Sequence, residues 1–190
     1  MSDGQLPAEI TTERLLLRCW RAGDGPALKQ AIDANLEHLQ RWMPWAMDEP
    51  SSQENMAARV LKFEQGFLAG EDWPYGIFSL ADYSIVGACS LHRRSGPNTL
   101  EIGYWIDRRW TRQGYATEAA RALTATAFGL SWIEAVEIRC DPANVASAGV
   151  PNRLGYSLVE ILKGDTVTPT GESRDTMVWL LGRAEFARLP

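Results

Sequence analysis

The chain has 190 residues, 45% of them hydrophobic and 23% charged, with a formal net charge of -5 and a pI near 5.1. That balance suits one compact α/β domain with an ample core and argues against a generic nucleic-acid-binding surface. Cys19, Cys89 and Cys140 are scattered and form no Cys-x-x-Cys pair, which excludes a disulfide framework, and neither His38 nor His92 completes a zinc spacing with them, so no metal is expected.

Residues 1–7 are expected to be disordered and residues 8–185 to form the single domain. The stretch TERLLLRCW (Thr12–Trp20) reads as a first strand, and GDGPALKQAI as a helix capped by Asp24 with Pro26 in its first turn. A short Trp-rich segment around Trp42, Pro44 and Trp45 follows. A longer helix begins at SSQE, where Ser51 and Glu54 form a capping box and Met56, Val60, Phe63 and Phe67 share a face, and it ends at Gly70. Three strands joined by hairpin-length turns come next, at Tyr75–Leu80, Ile85–Leu91 and Thr99–Ile106, so this part of the sheet is expected to be antiparallel. A helix from about Gly114 to Phe128 carries a small-residue face (Ala116, Ala119, Ala120, Leu123, Ala127). After it come a strand at Ala135–Cys140, a short helix at Asn144–Leu154 and a closing hairpin around the polar loop Lys163–Ser173, with DTMVWLL as a possible edge strand between subunits. The fold class is therefore α/β (α+β), one mixed, mostly antiparallel sheet of six to seven strands flanked by helices. The first ten residues have no signal-peptide character and no run reaches the roughly 20 apolar residues of a spanning helix. Cytoplasmic location, without membrane or nucleic-acid partners, is the expectation, as monomer or homodimer.

The stretch YWIDRRWTRQGYATEAARAL (Tyr104–Leu123) carries the chemistry. A strand that runs into a helix aims the helix's first free N–H groups beyond the strand end, and with the helix dipole these form an anion site. Gly114, without a Cβ, lets an anionic group approach the backbone. Thr111, Arg112 and Gln113 offer donors, and either Arg109 or Arg112 can pair with a phosphate. No Gly-Lys-Ser/Thr follows, so this is not a P-loop, and the glycines of a dinucleotide fingerprint are missing.

RQGYATEAARAL after EIGYWID resembles the acetyl-coenzyme A signature of the GNAT N-acyltransferase superfamily. Gly114 and Ala116 match its last two fixed places, while Thr111 stands where Arg or Gln is usual. NVASAGVPNRLGY resembles the family's Asn-x-x-Ser … Leu-Gly-Phe/Tyr segment, with Pro151 where many members carry a tyrosine. TERLLLR, RWMPW and EIGYWI resemble the ribosomal-protein-alanine acetyltransferase-like (Rim) branch.

The resemblance implies direct acetyl transfer from acetyl-coenzyme A, bound as co-substrate, to a primary amine: a protein N-terminus or a small amine. It implies contacts to coenzyme A from Trp105, Ile106, Thr111, Arg112, Gln113, Gly114, Tyr115, Ala116 and Thr117. It further implies that Asn144 bonds the pantetheine arm and that Ser147 faces the thioester sulfur, where it protonates the departing thiolate. Such a transfer needs a base, an oxyanion donor and an acid. Glu101 is the candidate base: alternation puts it on the strand face opposite Leu100, Ile102 and Tyr104, and an apolar pocket there would raise its pKa. His92 is the alternative. Backbone N–H groups of Tyr104–Ile106 can polarise the thioester carbonyl if the strand bulges. Trp42, Trp45, His92 and Tyr104 are candidates for the acceptor site, though Trp42 and Trp45 also read as core. The acidic balance mildly favours a cationic acceptor. Two alternatives stay open: a succinyl or other acyl donor served by Arg93, Arg94 or Arg174, and a coenzyme A-binding sensor without catalysis.

Overall fold

The computed structural model describes residues 5–167 and 171–189. Strands β1 (Glu9–Thr11), β2 (Leu15–Cys19), β3 (Asp72–Ser79), β4 (Ile85–His92), β5 (Thr99–Ile106), β6 (Ala135–Cys140), β7 (Ser157–Val167) and β8 (Ser173–Gly182) form one sheet, ordered β1-β2-β3-β4-β5-β6-β8-β7. Every neighbouring pair is antiparallel except β5 and β6. The strand beyond the expected six to seven is β1, which precedes the expected first strand; that strand begins only at Leu15, because Thr12–Arg14 form a turn in which the Thr12 N–H donates to the Leu15 carbonyl at 2.9 Å.

Among the described residues six α-helices accompany them: α1 (Gly25–Ala34), α2 (Leu36–Gln40), α3 (Gln53–Ala69), α4 (Tyr115–Phe128), α5 (Val145–Arg153) and α6 (Arg183–Phe186). Alternation along the strands sends Leu17, Ile77 and Ile102 to one face and Leu16, Phe78 and Trp105 to the other. The first face packs on α4, whose Ala119, Ala120, Leu123 and Ala127 are fully buried, so the small-residue stripe lets the helix lie close to the sheet. The second face packs around Trp20 with Leu28 and Ile32 of α1 and Met56 and Val60 of α3.

Several local expectations are corrected. The Asp24 side chain does not cap α1, because its carboxylate accepts from Arg18 Nη1 and Nη2 (2.7 and 2.9 Å) and the Arg21 N–H. The cap of α3 is Ser52, not Ser51: its Oγ accepts the Asn55 N–H at 3.1 Å. DTMVWLL lies in β8, between β6 and β7, so it is interior and β7 forms the edge. The polar loop is shorter than expected, since β7 reaches Val167 and β8 begins at Ser173; residues 168–170 lie outside the described ones. Of the expected disordered residues 1–7, the first four lie outside the described ones. Leu6 is buried in the core and the Pro7 carbonyl accepts the Tyr75 hydroxyl at 2.8 Å, so this part is tied down.

Candidate active site

β5 and β6 pair in parallel only from Thr99–Ala135 to Ile102–Ile138, and then part, while β5 stays paired with β4 as far as Ile106. The Asp107 N–H donates to the Val86 carbonyl. By the alternation of an antiparallel ladder, the Trp105 N–H turns to β4 and those of Tyr104 and Ile106 face the gap. The β4–β5 register runs without irregularity, so no bulge is needed: the parting itself frees the donors.

Two cavities meet at this gap. The first, about 620 Å³, lies against the start of α4, and the second, about 660 Å³, lies toward the β7–β8 hairpin. Trp42, Met43, Tyr104, Asn144 and Ser147 line both, so they are two ends of one cleft through the sheet.

The first cavity gathers nearly all the residues expected for coenzyme A: Trp105, Ile106, Thr111, Arg112, Gly114, Tyr115, Ala116 and Thr117, together with Asn144 and Ser147. Gln113 is the exception, because its Nε2 folds back to the Arg109 carbonyl at 3.0 Å. Gly114 has φ +86°, in the left-handed region, and forms the N-cap of α4. The glycine is therefore demanded by backbone conformation. The N–H groups of Tyr115, Ala116 and Thr117 lie in the first turn, where a helix supplies no acceptor. Of the two candidate phosphate partners, Arg109 is committed to Asp107 through Nε and Nη2 at 2.8–3.1 Å, and Arg112 lines the cleft. Thr111 donates its hydroxyl to the Arg108 carbonyl.

A latch that the motif does not reveal holds this turn in place. Glu118, in the first turn of α4, accepts from the Thr12 hydroxyl (2.6 Å), the Arg14 N–H (2.9 Å) and Arg14 Nε (2.7 Å), while Arg14 Nη1 donates to the Gln113 carbonyl at 3.1 Å. Burial pushes the Glu118 carboxyl up, but these donors outweigh it and hold it below the usual glutamate value. No residue spacing signals a contact between positions 14 and 118.

Around the gap, Asn144 Oδ1 caps α5 by accepting the Ser147 N–H at 3.2 Å, which leaves its Nδ2 to donate. The helix continues through Pro151. Proline has no N–H, so the Ser147 carbonyl loses its helical donor; the Tyr104 hydroxyl supplies one from β5 at 3.1 Å and also lies 3.1 Å from Ser147 Oγ. Burial pushes the Tyr104 phenol up. The position of the usual tyrosine is thus empty of a hydroxyl, and a tyrosine from the strand reaches the same serine.

In the second cavity Glu101 is buried on β5, and its surroundings correct the expected apolar pocket. Arg94 donates to both oxygens at 2.8 and 2.5 Å, and Arg139 lies 3.9 Å away. His92 and Trp45 line neither cavity. His92 sits between Ser90 Oγ (2.6 Å) and Asp72 Oδ1 (2.9 Å). The second cavity carries both signs: four arginines (41, 94, 139, 174) face three carboxylates (Glu101, Asp141, Asp165). Arg93 packs over Trp73 and Trp132, Arg94 holds Glu101, and Arg174 donates to the Arg41 carbonyl, so each guanidinium proposed for a charged acyl donor already has a partner. Burial pushes the Cys140 thiol up, which suits a wall residue rather than a nucleophile.

The mixed sheet, parted over a cleft with a helix N-terminus on one side, is a fold shared with solved acetyltransferases. RimL, a ribosomal L7/L12 α-N-protein acetyltransferase solved with coenzyme A, shares the fold with a TM-score of 0.82 at 24% identity, covering 93% of this chain and 97% of that one. The family model "Acetyltransferase (GNAT) domain" matches residues 14–157, and the chain belongs to this family as a GNAT N-acetyltransferase. Among curated relatives, YdaF of Bacillus subtilis (strain 168), a candidate ribosomal N-acetyltransferase, is 28% identical over 92% of this chain and 94% of its own length. The ribosomal-protein-serine acetyltransferase of Escherichia coli (strain K12) is 27% identical over 72% of this chain and 75% of its own.

Proposed function

We propose that this acetyltransferase moves the acetyl group of acetyl-coenzyme A directly to a primary amine in a ternary complex, with the N-terminal amine of a protein as the favoured acceptor and a small amine as the alternative. The observation that carries this reading is the pair of cavities that meet at Tyr104, Asn144 and Ser147. One side offers a helix N-terminus to a pyrophosphate, and the other offers a separate chamber to an amine.

In this reading the N–H groups of Tyr115, Ala116 and Thr117, with Arg112, hold the pyrophosphate, and Asn144 Nδ2 bonds the pantetheine arm. The gap-facing N–H groups of Tyr104 and Ile106 stabilise the oxyanion as the amine adds to the thioester carbon. Glu101 accepts the ammonium proton on lone pairs that Arg94 leaves free. As the adduct collapses, the attacking nitrogen sheds its second proton to Ser147 Oγ while Ser147 Oγ passes its own to the departing thiolate. The serine thus ends as it began, with the Tyr104 hydroxyl 3.1 Å away to orient it. The protein-amine acceptor is supported by the relatives, since YdaF, RimL and the Escherichia coli enzyme are named for ribosomal proteins.

The test is thiol release from acetyl-coenzyme A with peptides bearing a free N-terminal Ala or Ser and with simple alkylamines. Intersecting initial-rate lines on varying both substrates are expected for a ternary complex. Parallel lines would instead require an acyl-enzyme, and no amine-dependent thiol release would reject the reading.

A further inference from the structure

Four ionisable residues form one row across the sheet: Asp72 of β3 stands opposite His92 of β4, His92 opposite Glu101 of β5, and Glu101 beside Glu137 of β6. Residues in register share a face of the sheet, so the four side chains lie on the same side. His92 is held by Ser90 Oγ and Asp72 Oδ1. The other two are carboxylates, both buried, on strands about 4.8 Å apart. Buried like charges at that spacing repel and persist only with cations set against them. Two guanidiniums are divided between them. Arg94 donates to both Glu101 oxygens, at 2.8 and 2.5 Å. Arg139 donates from Nε to Glu137 Oε1 at 2.5 Å, and Ser95 Oγ donates to the same oxygen at 2.9 Å. Arg139 Nε also lies 3.9 Å from Glu101 Oε2, within ion-pair reach but too far for a hydrogen bond. The bond to Glu137, with the added pull of Glu101 and against burial, holds the Arg139 guanidinium above the ordinary arginine value. Glu101 and Arg139 line the second cavity, and Glu137 lines neither.

We infer that Glu137 and Arg139 are a positioning pair that keeps one guanidinium, and only one, hydrogen-bonded to Glu101, a role that rests on the reading of Glu101 as the base. An ionised carboxylate has about four acceptor sites, and Arg94 fills two of them. Glu137 holds Arg139 away from the remainder, which stay open to the acceptor's ammonium. Arg139 in turn cancels the Glu137 charge, so Arg94 stays on Glu101 instead of dividing between two carboxylates. Each member of the pair offsets the other. Without Glu137, Arg139 needs to move only about 1 Å to bond Glu101 Oε2 and close the remaining sites. Without Arg139, Glu137 keeps one neutral donor, Ser95, and competes for Arg94. Without both, the two charges leave together and the bond between Glu101 and Arg94 stands as before.

The experiment measures kcat and KM for wild type, Glu137→Gln, Arg139→Gln and the double variant, with acetyl-coenzyme A and a pentapeptide bearing a free N-terminal Ala. The Tm and the Kd for coenzyme A check that each protein is folded. Each single exchange is expected to lower kcat about tenfold, with the acceptor KM and the coenzyme A Kd within about threefold, and the double variant to recover kcat to within about threefold of wild type. A pair that served only to hold β6 in place would show no recovery, since losing both members would cost at least as much as losing one. Singles whose kcat stays within about twofold of wild type, or a double variant as slow as the slower single, overturn the positioning role. If Arg139→Gln does not fold, Glu137→Gln against the double variant decides in the same way. Glu101→Gln is measured beside them to separate the two levels. If it turns over as fast as wild type, or wild type releases no thiol with amine, the reading of Glu101 as base fails and the pair's role falls with it. A slow Glu101→Gln with no recovery in the double variant removes the pair's role alone.

Discussion

Replacing Gly114 tests the anion cradle most directly, because conformation and volume can be separated there. With φ at +86° the position is left-handed, and a Cβ would meet only Arg14 Nη2, at an ordinary 3.4 Å. Gly114→Ala therefore costs little by crowding in the free protein. Its cost is backbone strain, about 1–3 kcal/mol for a non-glycine residue held in this region. For a chain of this size each kcal/mol lowers Tm by about 2–4 °C, so the loss should be about 2–12 °C. If strain tilts the first turn so that one or two N–H groups no longer meet the pyrophosphate, each lost bond to a charged oxygen removes about 1.5–3 kcal/mol. The combined loss, about 3 kcal/mol, is about a hundredfold in affinity for coenzyme A. Gly114→Val, with a bulkier group where the phosphates would lie, should abolish measurable binding. Calorimetric titration with coenzyme A and a thermal melt of each variant give the two quantities separately. A lowered Tm with coenzyme A affinity within twofold of wild type would place the cradle elsewhere and refute the argument.

Glu101→Gln should reduce turnover about a hundredfold or more, the usual worth of a positioned base, while the coenzyme A Kd stays within twofold; equal losses in both would remove Glu101 from the proton transfer. Tyr104→Phe and Ser147→Ala should each slow thiol release about tenfold, and the double variant should be little worse than the slower single one, because both act at one proton. Losses that multiply would mean separate roles. For Glu118, whose native carboxyl lies below the 4.5 of an ordinary glutamate, the stabilisation is full above that pH and disappears as pH falls through the native value. Wild type should therefore be about 1–3 kcal/mol more stable than Glu118→Gln at pH 7, a range that allows for the 41% exposure of the Arg14 side chain. The gap should narrow on acid titration below pH 4.5. Chemical denaturation at both ends measures it, and a gap unchanged between pH 7 and pH 3 would refute the assignment.

The sequence disclosed those features that depend on neighbours in the chain. The strand at Ala135–Cys140, the strand at Thr99–Ile106 and the entry of α4 at Gly114 follow from alternation, turn chemistry and one glycine. The backbone of the proposed anion cradle was legible for the same reason, since it is a strand end, a turn and a helix start in succession. What stayed hidden depends on residues far apart. Arg14 meets Glu118 across 104 positions, Arg94 neutralises Glu101 from beyond a turn, and Arg174 reaches Arg41 across 133 positions. The insertion of β8 between β6 and β7 was hidden too, because a hairpin reads the same whichever arm is inside. Tyr104 was legible as a cleft residue, but its bond to the Ser147 carbonyl follows from Pro151, 47 positions later, and only the fold joins the two.

The parallel pair explains why the site lies where it does. Antiparallel neighbours need only a turn, whereas β5 and β6 need a crossover, and α4 is that crossover. The start of α4 and the start of α5 follow the carboxyl ends of β5 and β6 respectively, at the end where those strands part. In open α/β sheets that end is where ligands bind. The free N–H groups of the first α4 turn, the gap-facing N–H groups of β5 and the Asn144 cap of α5 therefore converge by topology, before any side chain is chosen. Most of the proposed donor side is backbone, so it depends little on which side chain stands at Thr111. The second cavity, the proposed acceptor side, is lined by residues of α2, the segment after it, β5, β6, α5 and the hairpin. Exchanges at Trp42, Asp141 or Arg174 should consequently alter which amine is used while leaving coenzyme A affinity within a few fold, whereas exchanges at Gly114 should alter affinity for every acyl donor alike.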